Sequence, residues 1–280
     1  MQLKKLIPIP IILLALSVFI ISHNYVTTKD FIIRDIDLKG GTLITIDTDK
    51  QFDTKFLENE LSKRFGSVII SSLKSSTGYG LSIQLEANVN STDVLNHVKN
   101  LGINVKEFSV ESIGSSFGEA LFSQLMLILT ISFALMSFII FIIYRNLISS
   151  LAMVFAVLGN IITTLAITSF LGIKISFAGL AGLLMLIGYS VDTNILLTHK
   201  VSRSTKEEFY KNYKKAFITG VTLISTITLT MLAIYFLSTS KLLTNIASIL
   251  IIGFLSDLPY TWIFNAAILE LWVYRRFEKL

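Results

Sequence analysis

The sequence contains no cysteine. Disulfide bonds, thiolate catalysis and cysteine-based metal sites are therefore excluded, and any folded domain must be stable without covalent cross-links. Charged residues are scarce at 15%, against about 25% in an average soluble domain, whereas 52% of the residues are hydrophobic. A globular core of 280 residues could not bury so many apolar side chains, so lipid must solvate some of them. The sequence predicts an integral membrane protein.

Apolar runs long enough to cross a bilayer as a helix, which takes about 17–25 residues, occur six times. They lie at about residues 6–22, 121–144, 147–171, 175–198, 216–237 and 245–273. The first run follows Lys4 and Lys5 and could be a cleaved signal peptide. Its length and the lack of a small-x-small cleavage site favour a retained signal anchor.

Lysine and arginine near the helix ends predict the orientation. With the N-terminus inside, the inner loops carry twelve of these residues, whereas the short outer loops carry only Lys174 and Lys241. Both termini are therefore expected in the cytoplasm of a multi-pass cell-membrane protein, with the loop 23–120 outside. The basic run Lys200–Lys215 is expected to set this topology; binding of anionic lipid or of a partner is the alternative.

The outer loop has the patterns of a folded α+β domain. The predicted order is β-α-β-β-α-β, a ferredoxin-like unit. Its strands are expected at Asp37–Asp47, Ser67–Leu73, Leu81–Glu86 and Ile103–Val110, with a turn at Ser76–Gly80. Its helices are expected at Asp53–Phe65, with Asp53 as the N-cap, and at Ser91–Asn100, with Ser91 as the cap and Gly102 as the stop.

The predicted layout has four parts. They are an N-terminal membrane anchor (1–22), the outer domain (23–120), a five-helix membrane bundle (121–273) and a cytoplasmic tail (274–280). Gly114–Glu119 is expected to be a linker into the second membrane helix, whose apolar sequence is expected to face lipid.

Two aspartates lie inside predicted membrane helices. Asp192, in the fourth, shares a face of small residues with Ala181, Met185 and Gly188. Asp257, in the sixth, lies in a stripe that steps by four, formed by Gly253, Asp257, Thr261 and Asn265, and Pro259 predicts a bend nearby. A central Asp costs about 2.5–3.5 kcal/mol on insertion scales. Both carboxylates are therefore expected to face the bundle interior or water, as parts of a proton or cation path.

Polar stripes follow two other membrane helices. Thr219, Thr222 and Thr226 lie on one face of the fifth, and Asn160 begins a similar stripe in the third. They could support the two aspartates. The simpler interpretation is interhelical hydrogen bonding, worth about 0.6 kcal/mol per contact on average.

Several kinds of site are discounted. The three histidines have no mutual spacing that suggests a metal site. Gly40-Gly41 is not part of a GxxxxGK[ST] phosphate loop and is better explained by a tight approach at a strand start. The aspartates also lack the Gly-x-Gly-Asp segment of intramembrane aspartyl proteases.

Three segments together resemble SecF, of the SecD/SecF family of protein export. Asp35–Thr42, with Gly40 and Gly41, is similar to the Asp-x-x-Gly-Gly-Thr signature after the first helix. Ile187–Asn194, with Gly188, Tyr189 and Ser190, is similar to the signature of the fourth helix. Asp257–Ala266 resembles the archaeal-type ending of the sixth.

This resemblance implies a subunit that assists Sec-dependent export and is not an enzyme. It implies a SecD-like partner, a pseudo-symmetric twelve-helix unit of the resistance-nodulation-division class, and a site beside the SecY channel. Unfolded preproteins would be handled on the outer side, with the proton gradient used in bacterial members. No cofactor, metal or nucleic acid is implied.

The sequence departs from bacterial relatives at two points. They have Asn-Asp-Thr where this chain has Asp192-Thr193-Asn194, so the carboxylate falls one position earlier, which is about 100° of helix rotation. A basic residue common at the start of the fifth helix is matched here by Ile218. The role of Asp192 therefore stays open.

Two other functions compete with this interpretation. A half-size exporter of lipids or small molecules of the same class would share the helix count, although full exporters usually carry a second large outer loop. A membrane-anchored binding or sensing module would leave the polar stripes of five further helices unexplained.

Overall fold

The structure is a computed structural model that describes residues 3–50, 52–66, 68–75, 78–85 and 89–278. The chain divides into two compact units. We call Arg34–Met126 the sheet domain, and the residues up to Ile33 together with those from Leu127 onward the membrane unit. Of the predicted strand and turn positions, Ser67, Ser76, Thr77 and Glu86 lie outside the described residues.

Ten α-helices and four strands are found in the described part of the chain. The helices are α1 (Pro8–Thr28), α2 (Ile36–Lys39), α3 (Thr54–Phe65), α4 (Ser91–Asn100), α5 (Ser115–Tyr144), α6 (Leu147–Phe170), α7 (Phe177–Val201), α8 (Phe209–Leu237), α9 (Lys241–Pro259) and α10 (Ala266–Glu278). The strands are β1 (Gly41–Thr48), β2 (Ile69–Ser75), β3 (Gly78–Leu85) and β4 (Phe108–Ile113). A 3₁₀ turn, Leu3–Leu6, precedes α1, and a π-helical segment, Tyr260–Asn265, joins α9 to α10.

Within the described residues, six helices are long and apolar enough to cross a membrane, as predicted. They are α1 with its preceding turn, α5, α6, α7, α8 and the continuous α9–π–α10 rod. The central helices α6 and α7 have more than half of their apolar windows buried, 61% and 56%, whereas α5 has 6%. In the single chain one face of α5, with Leu129, Phe133 and Met136, packs against Val157 and Ile161, and much of the helix stays uncovered. That this helix faces lipid stays a prediction.

The last membrane helix changes geometry at Pro259. Proline lacks the N–H that would continue the α-helical ladder, and the backbone widens into the π-helical segment directly after it. The large rings of that segment fit against glycines of neighbouring helices. A Cβ on Gly159 of α6 would lie 2.5 Å from the Tyr260 ring, and one on Gly220 of α8 would lie 2.1 Å from the Trp262 ring.

The sheet domain holds one antiparallel sheet, with β2-β3-β1-β4 as the order of the described strands. Ile44 of β1 stands opposite Ile83 of β3 and Val110 of β4. Because alternate strand residues share a face, the apolar residues of β1 and β3 form one layer of the core. That core also contains Leu57 and Leu61 of α3 and Val94 and Val98 of α4.

Local hydrogen bonds explain where the elements differ from prediction. Asp53 caps α3 as expected, accepting from the N–H of Lys55 at 2.9 Å. The cap of α4 is Asn90, which accepts from the N–H of Thr92 at 3.1 Å, so Ser91 is the first helical residue instead. The last strand starts at Phe108, later than predicted; before it, the side chains of Lys106 and Asn104 bind Asp49 in the loop that follows β1.

The segment before β1 is also different from prediction. Residues 37–39 form the short helix α2 instead of strand, because Asp35 caps it by accepting from the N–H of Ile36 at 2.9 Å. Gly40, with φ 82°, ends it. The predicted linker over 114–119 is mostly helix, since α5 already begins at Ser115.

Candidate functional site: a buried carboxylate between membrane helices

Asp257 lies in the interior of the membrane unit, where its side chain is 1% exposed. It belongs to α9, which packs against α6, α7 and α8. The stripe of Gly253, Asp257, Thr261 and Asn265 forms the inner face of this rod, because residues four apart lie on one side of a helix. Each of the four is buried.

Both carboxylate oxygens of Asp257 accept hydrogen bonds from neutral groups. Oδ1 accepts from the Ser190 hydroxyl and from Asn160 Nδ2, the latter at 3.2 Å. Oδ2 accepts from the hydroxyls of Thr193 at 2.9 Å and Thr261 at 3.0 Å. A carboxylate offers about four acceptor positions. Three helical elements besides α9 therefore supply its donors: α6, α7 and the π segment.

The network continues one turn further along α7 and the π segment. Asn194 Nδ2 donates to the Thr261 hydroxyl at 2.8 Å and to the carbonyl of Ser190 at 2.7 Å. Asn194 Oδ1 accepts from Asn265 Nδ2 at 2.8 Å. In the described part of the chain, Asn265 Oδ1 has no hydrogen-bond partner, so the network ends there.

The hydrogen bonds around Asp257 depend on whether its carboxyl group is ionised or protonated. An ionised carboxylate only accepts hydrogen bonds, whereas a protonated one must donate to a neighbour. A protonated Asp257 would need a neighbour that accepts. The Thr193 hydroxyl can do so, because it also lies 2.9 Å from the Ser190 carbonyl and can donate there instead. Ser190 and Thr193 belong to α7 and Asp257 to α9, so these hydrogen bonds lie at the contact between the two helices.

The structure brings only some of the predicted site residues together. Asn160, Ser190 and Thr261 bond directly to Asp257, and Asn265 joins through Asn194. Tyr189 packs edge-on against Phe254, with ring centroids 5.4 Å apart. Gly188 is exposed, and a Cβ placed on it would meet no atom within 4 Å. Gly40 and Gly41 belong to the sheet domain and take no part in this network.

Of the two positions expected for Asp192, the bundle interior or water, the single chain does not place it in the interior. Its side chain is exposed on the surface of the single chain, because α7 turns its positions 190, 193 and 194 toward α9. One residue along a helix is a rotation of about 100°. Asp192 therefore shares an open face of α7 with Gly188 and Met185, the latter 44% exposed.

The threonine stripe of α8 also lies outside the network. Thr219, Thr222 and Thr226 are exposed, and each hydroxyl donates to the backbone carbonyl four residues earlier. A threonine hydroxyl satisfied within its own helix needs no polar neighbour. The stripe therefore gives no support to Asp257 in this chain.

Sequence reasoning missed three groups. Thr193 and Asn194 are central to the network, and their spacing of three and four from Ser190 would have identified them. Glu270 of α10 is 4% exposed and accepts from the Tyr210 hydroxyl at 2.5 Å and from the backbone N–H of Lys4 at 3.3 Å. No group of three or more His, Asp or Glu residues able to hold a metal occurs among the described residues.

The fold and site together define a multi-pass membrane protein with an α+β domain after its first helix and a buried carboxylate among its helices. The family model for "Protein export membrane protein SecD/SecF, C-terminal" matches residues 93–275. The chain belongs to the SecD/SecF family.

The similarity to known proteins extends over the whole chain. The protein-export membrane protein SecF of Pyrococcus furiosus is 32% identical, over 100% of this chain and 94% of the relative. SecF of Methanocaldococcus jannaschii is also 32% identical, over 96% and 95% of the two chains. The crystal structure of SecDF from Thermus thermophilus, a translocon-associated membrane protein, has the same fold with a TM-score of 0.79 at 18% identity. The match covers 97% of this chain but only 38% of that one.

Proposed function

We propose that this chain is a SecF-like subunit of an accessory complex that assists Sec-dependent protein translocation across the cell membrane. The observation that carries this proposal is the similarity to relatives named protein-export membrane protein SecF, which extends from end to end of the chain. In this role the protein acts on unfolded preproteins beside the SecY channel and is not an enzyme.

We infer that both termini are cytoplasmic and that the sheet domain lies outside. The support is the bias of twelve Lys and Arg residues in the inner loops against two in the short outer loops. In this layout 1–22 is the anchor, 23–120 the outer part, 121–273 the bundle and 274–280 the tail. We further assign the sheet domain to the ferredoxin-like class, because its helices and strands follow the order β-α-β-β-α-β in a sheet ordered β2-β3-β1-β4.

A SecD-like protein is the proposed partner within the membrane. The matched SecDF chain is more than twice as long as the part that this chain covers. The open face of α7 gives independent support: an exposed carboxylate on a membrane helix is costly against lipid. A partner that covers Gly188 and Asp192 would remove Asp192 from lipid and let two helices approach closely.

The proposed mechanism is a proton-dependent change in the contact between α7 and α9. Asp257 is the first candidate to carry the proton, because its carboxylate joins these helices through Ser190 and Thr193. Asp192 is the second candidate, acting at the partner surface. The sheet domain would move with the helices and act on the emerging preprotein.

Purification of the tagged protein from its native membrane in mild detergent tests the assignment. A second six-helix SecD-like protein is the expected companion, with or without the SecY channel. Asp192→Asn should leave the chain folded while weakening that association. Recovery of the chain as a self-dimer with bound lipid would instead favour a half-size exporter of lipids or small molecules.

A further inference from the structure

The start of α5 makes an unusually close backbone contact with the segment before β1. Both belong to the sheet domain, which extends to Met126. The contact is formed by Gly40, at the end of α2, and Gly118, in the first turns of α5. The site already described does not use this contact.

Gly40 leaves no room for a side chain. A Cβ on Gly40 would lie 2.4 Å from Cα and 2.7 Å from N of Ser115, both backbone atoms that cannot turn aside. Gly40 also has φ 82°, a conformation that residues with a Cβ rarely adopt. Its N–H donates to the carbonyl of Ile36 at 2.7 Å, which fixes the turn out of α2.

Gly118 provides the same opening from the other side. A Cβ there would lie 2.6 Å from N of Gly40 and 3.1 Å from C of Lys39. Gly118 is an ordinary helical residue, so alanine would suit its backbone better than glycine does. The presence of glycine at position 118 is therefore explained by the close approach of Gly40 and not by the backbone conformation of α5.

Other interactions tie the same segment to the sheet and to α5. The Arg34 guanidinium lies over the Phe122 ring of α5, 4.8 Å from its centroid. Asp35, 2% exposed, accepts from Gln84 Nε2 of β3 at 2.7 Å. A Cβ on Gly41 would lie 2.7 Å from the carbonyl oxygen of Leu85 in β3. The segment 34–41 therefore joins the sheet on one side and the first turns of α5 on the other.

We propose that Gly40 and Gly118 are positioning residues that lock the first turns of α5, up to Met126, rigidly to the segment before β1. This inference rests on the proposed export function only where export is the measured quantity. The rigid lock itself is a statement about structure and can be measured separately.

The natural absence of cysteine makes the lock measurable with spin labels. Cysteines at Lys99, exposed on α4, and at Ala120, exposed on α5, report the distance across the junction in the full chain. We expect a single narrow distance distribution in the labelled protein with its native glycines. The control Gly114→Ala should give the same distribution, because a Cβ on Gly114 meets nothing within 4 Å. Gly118→Ala should shift or broaden the distribution.

Amide exchange of β1 and β3 separates loss of the lock from loss of the fold. If the proposal is correct, these strands stay as protected in Gly118→Ala as in Gly114→Ala, while export falls at equal membrane levels and equal recovery of the SecD-like partner. Gly40→Ala should behave like Gly118→Ala.

Two results would overturn the proposal. One is an unchanged distance distribution in Gly118→Ala; the other is exchange in β1 and β3 that rises together with the distance change, which would make Gly118 a folding residue only. A third result separates this proposal from the proposed function. If the distances change as expected but export is the same with and without the protein that carries the native glycines, the lock stands and the proposed export function fails.

Discussion

Trp262 offers a direct test of how the membrane unit packs. The indole of Trp262 is 2% exposed and lies against α8, where a Cβ on Gly220 would be 2.1 Å from Cζ2 and 2.6 Å from Cη2. The ring cannot easily withdraw, because Phe217 packs edge-on against it with centroids 5.3 Å apart. Gly220→Ala must therefore displace a rigid ring or separate two helices.

The loss of stability expected for Gly220→Ala can be compared with that of a matched control variant. Overpacking of a tight core costs about 1–3 kcal/mol, whereas replacing a helical glycine by alanine gains up to about 1 kcal/mol. Gly188→Ala, also within a membrane helix, meets no atom within 4 Å and should show only the gain. The two variants should differ by about 1–3 kcal/mol in the free energy of unfolding, with Gly220→Ala the less stable.

Equilibrium unfolding in mixed detergent micelles, followed by tryptophan fluorescence, measures this difference. The chain contains only two tryptophans, so a displaced Trp262 should also change the emission of the folded state. Equal stability of the two variants with unchanged emission would refute the packing of Trp262 against α8.

Three further predictions concern hydrogen-bonded carboxylates. Asp257→Leu should destabilise the membrane unit by several kcal/mol, since the donors of Asn160, Ser190 and Thr261 lose their acceptor and each buried donor left unpaired costs about 1–3 kcal/mol. Asp257→Asn, which still accepts hydrogen bonds, should cost much less in the same unfolding assay. In the sheet domain, the hydrogen bond from Lys106 lowers the pKa of Asp49 below its ordinary value, so the ionised form stabilises the fold at neutral pH. The difference in amide exchange of β1 between the native protein and Asp49→Asn should therefore be largest at neutral pH and fade as the pH drops below about 4, the ordinary pKa of the unfolded carboxyl; a difference that grows toward low pH would contradict this sign. Tyr210→Phe removes a donor from the buried Glu270 and should cost about 1–3 kcal/mol, because a buried acceptor is left unsatisfied. A value near zero by micellar unfolding would contradict the pairing.

The membrane helices could be predicted because lipid imposes a minimum apolar length. Their ends could not, because polar turns extend α5 and α8 beyond the apolar runs. Those turns are held by tertiary contacts. Gly118 meets the backbone of Lys39 and Gly40, and Phe209 at the start of α8 is fully buried. Neither contact leaves a periodic pattern in the sequence.

The inner position of Asp257 could be predicted from its polar stripe. The exposed position of Asp192 could not. Both lie on helices with small residues, but a small-residue face indicates close approach without naming the neighbour. On α7 the face turned to α9 carries Ser190, Thr193 and Asn194, and the open face carries Asp192. The helix rotation is decided by which face completes the hydrogen bonds of Asp257.

The error at residues 37–39 has a local cause. A single helical turn is too short for its 3.6-residue period to be told from the alternation of a strand. The deciding interactions are the Asp35 cap and the left-handed Gly40, and Asp35 is held in turn by Gln84, far along the chain.

Export by the Asp257→Asn variant is the sharpest test of a proton-dependent contact between α7 and α9. Asp257→Glu keeps an ionisable group and serves as the control, and the native protein is the reference. Export of a secreted reporter should be measured at equal membrane levels and equal recovery of the SecD-like partner. We expect Asp257→Asn to stay folded and associated but to lose most export, because its side chain can no longer gain or lose a proton between α7 and α9. Export by Asp257→Asn at the native rate would contradict a proton-dependent role for this carboxylate.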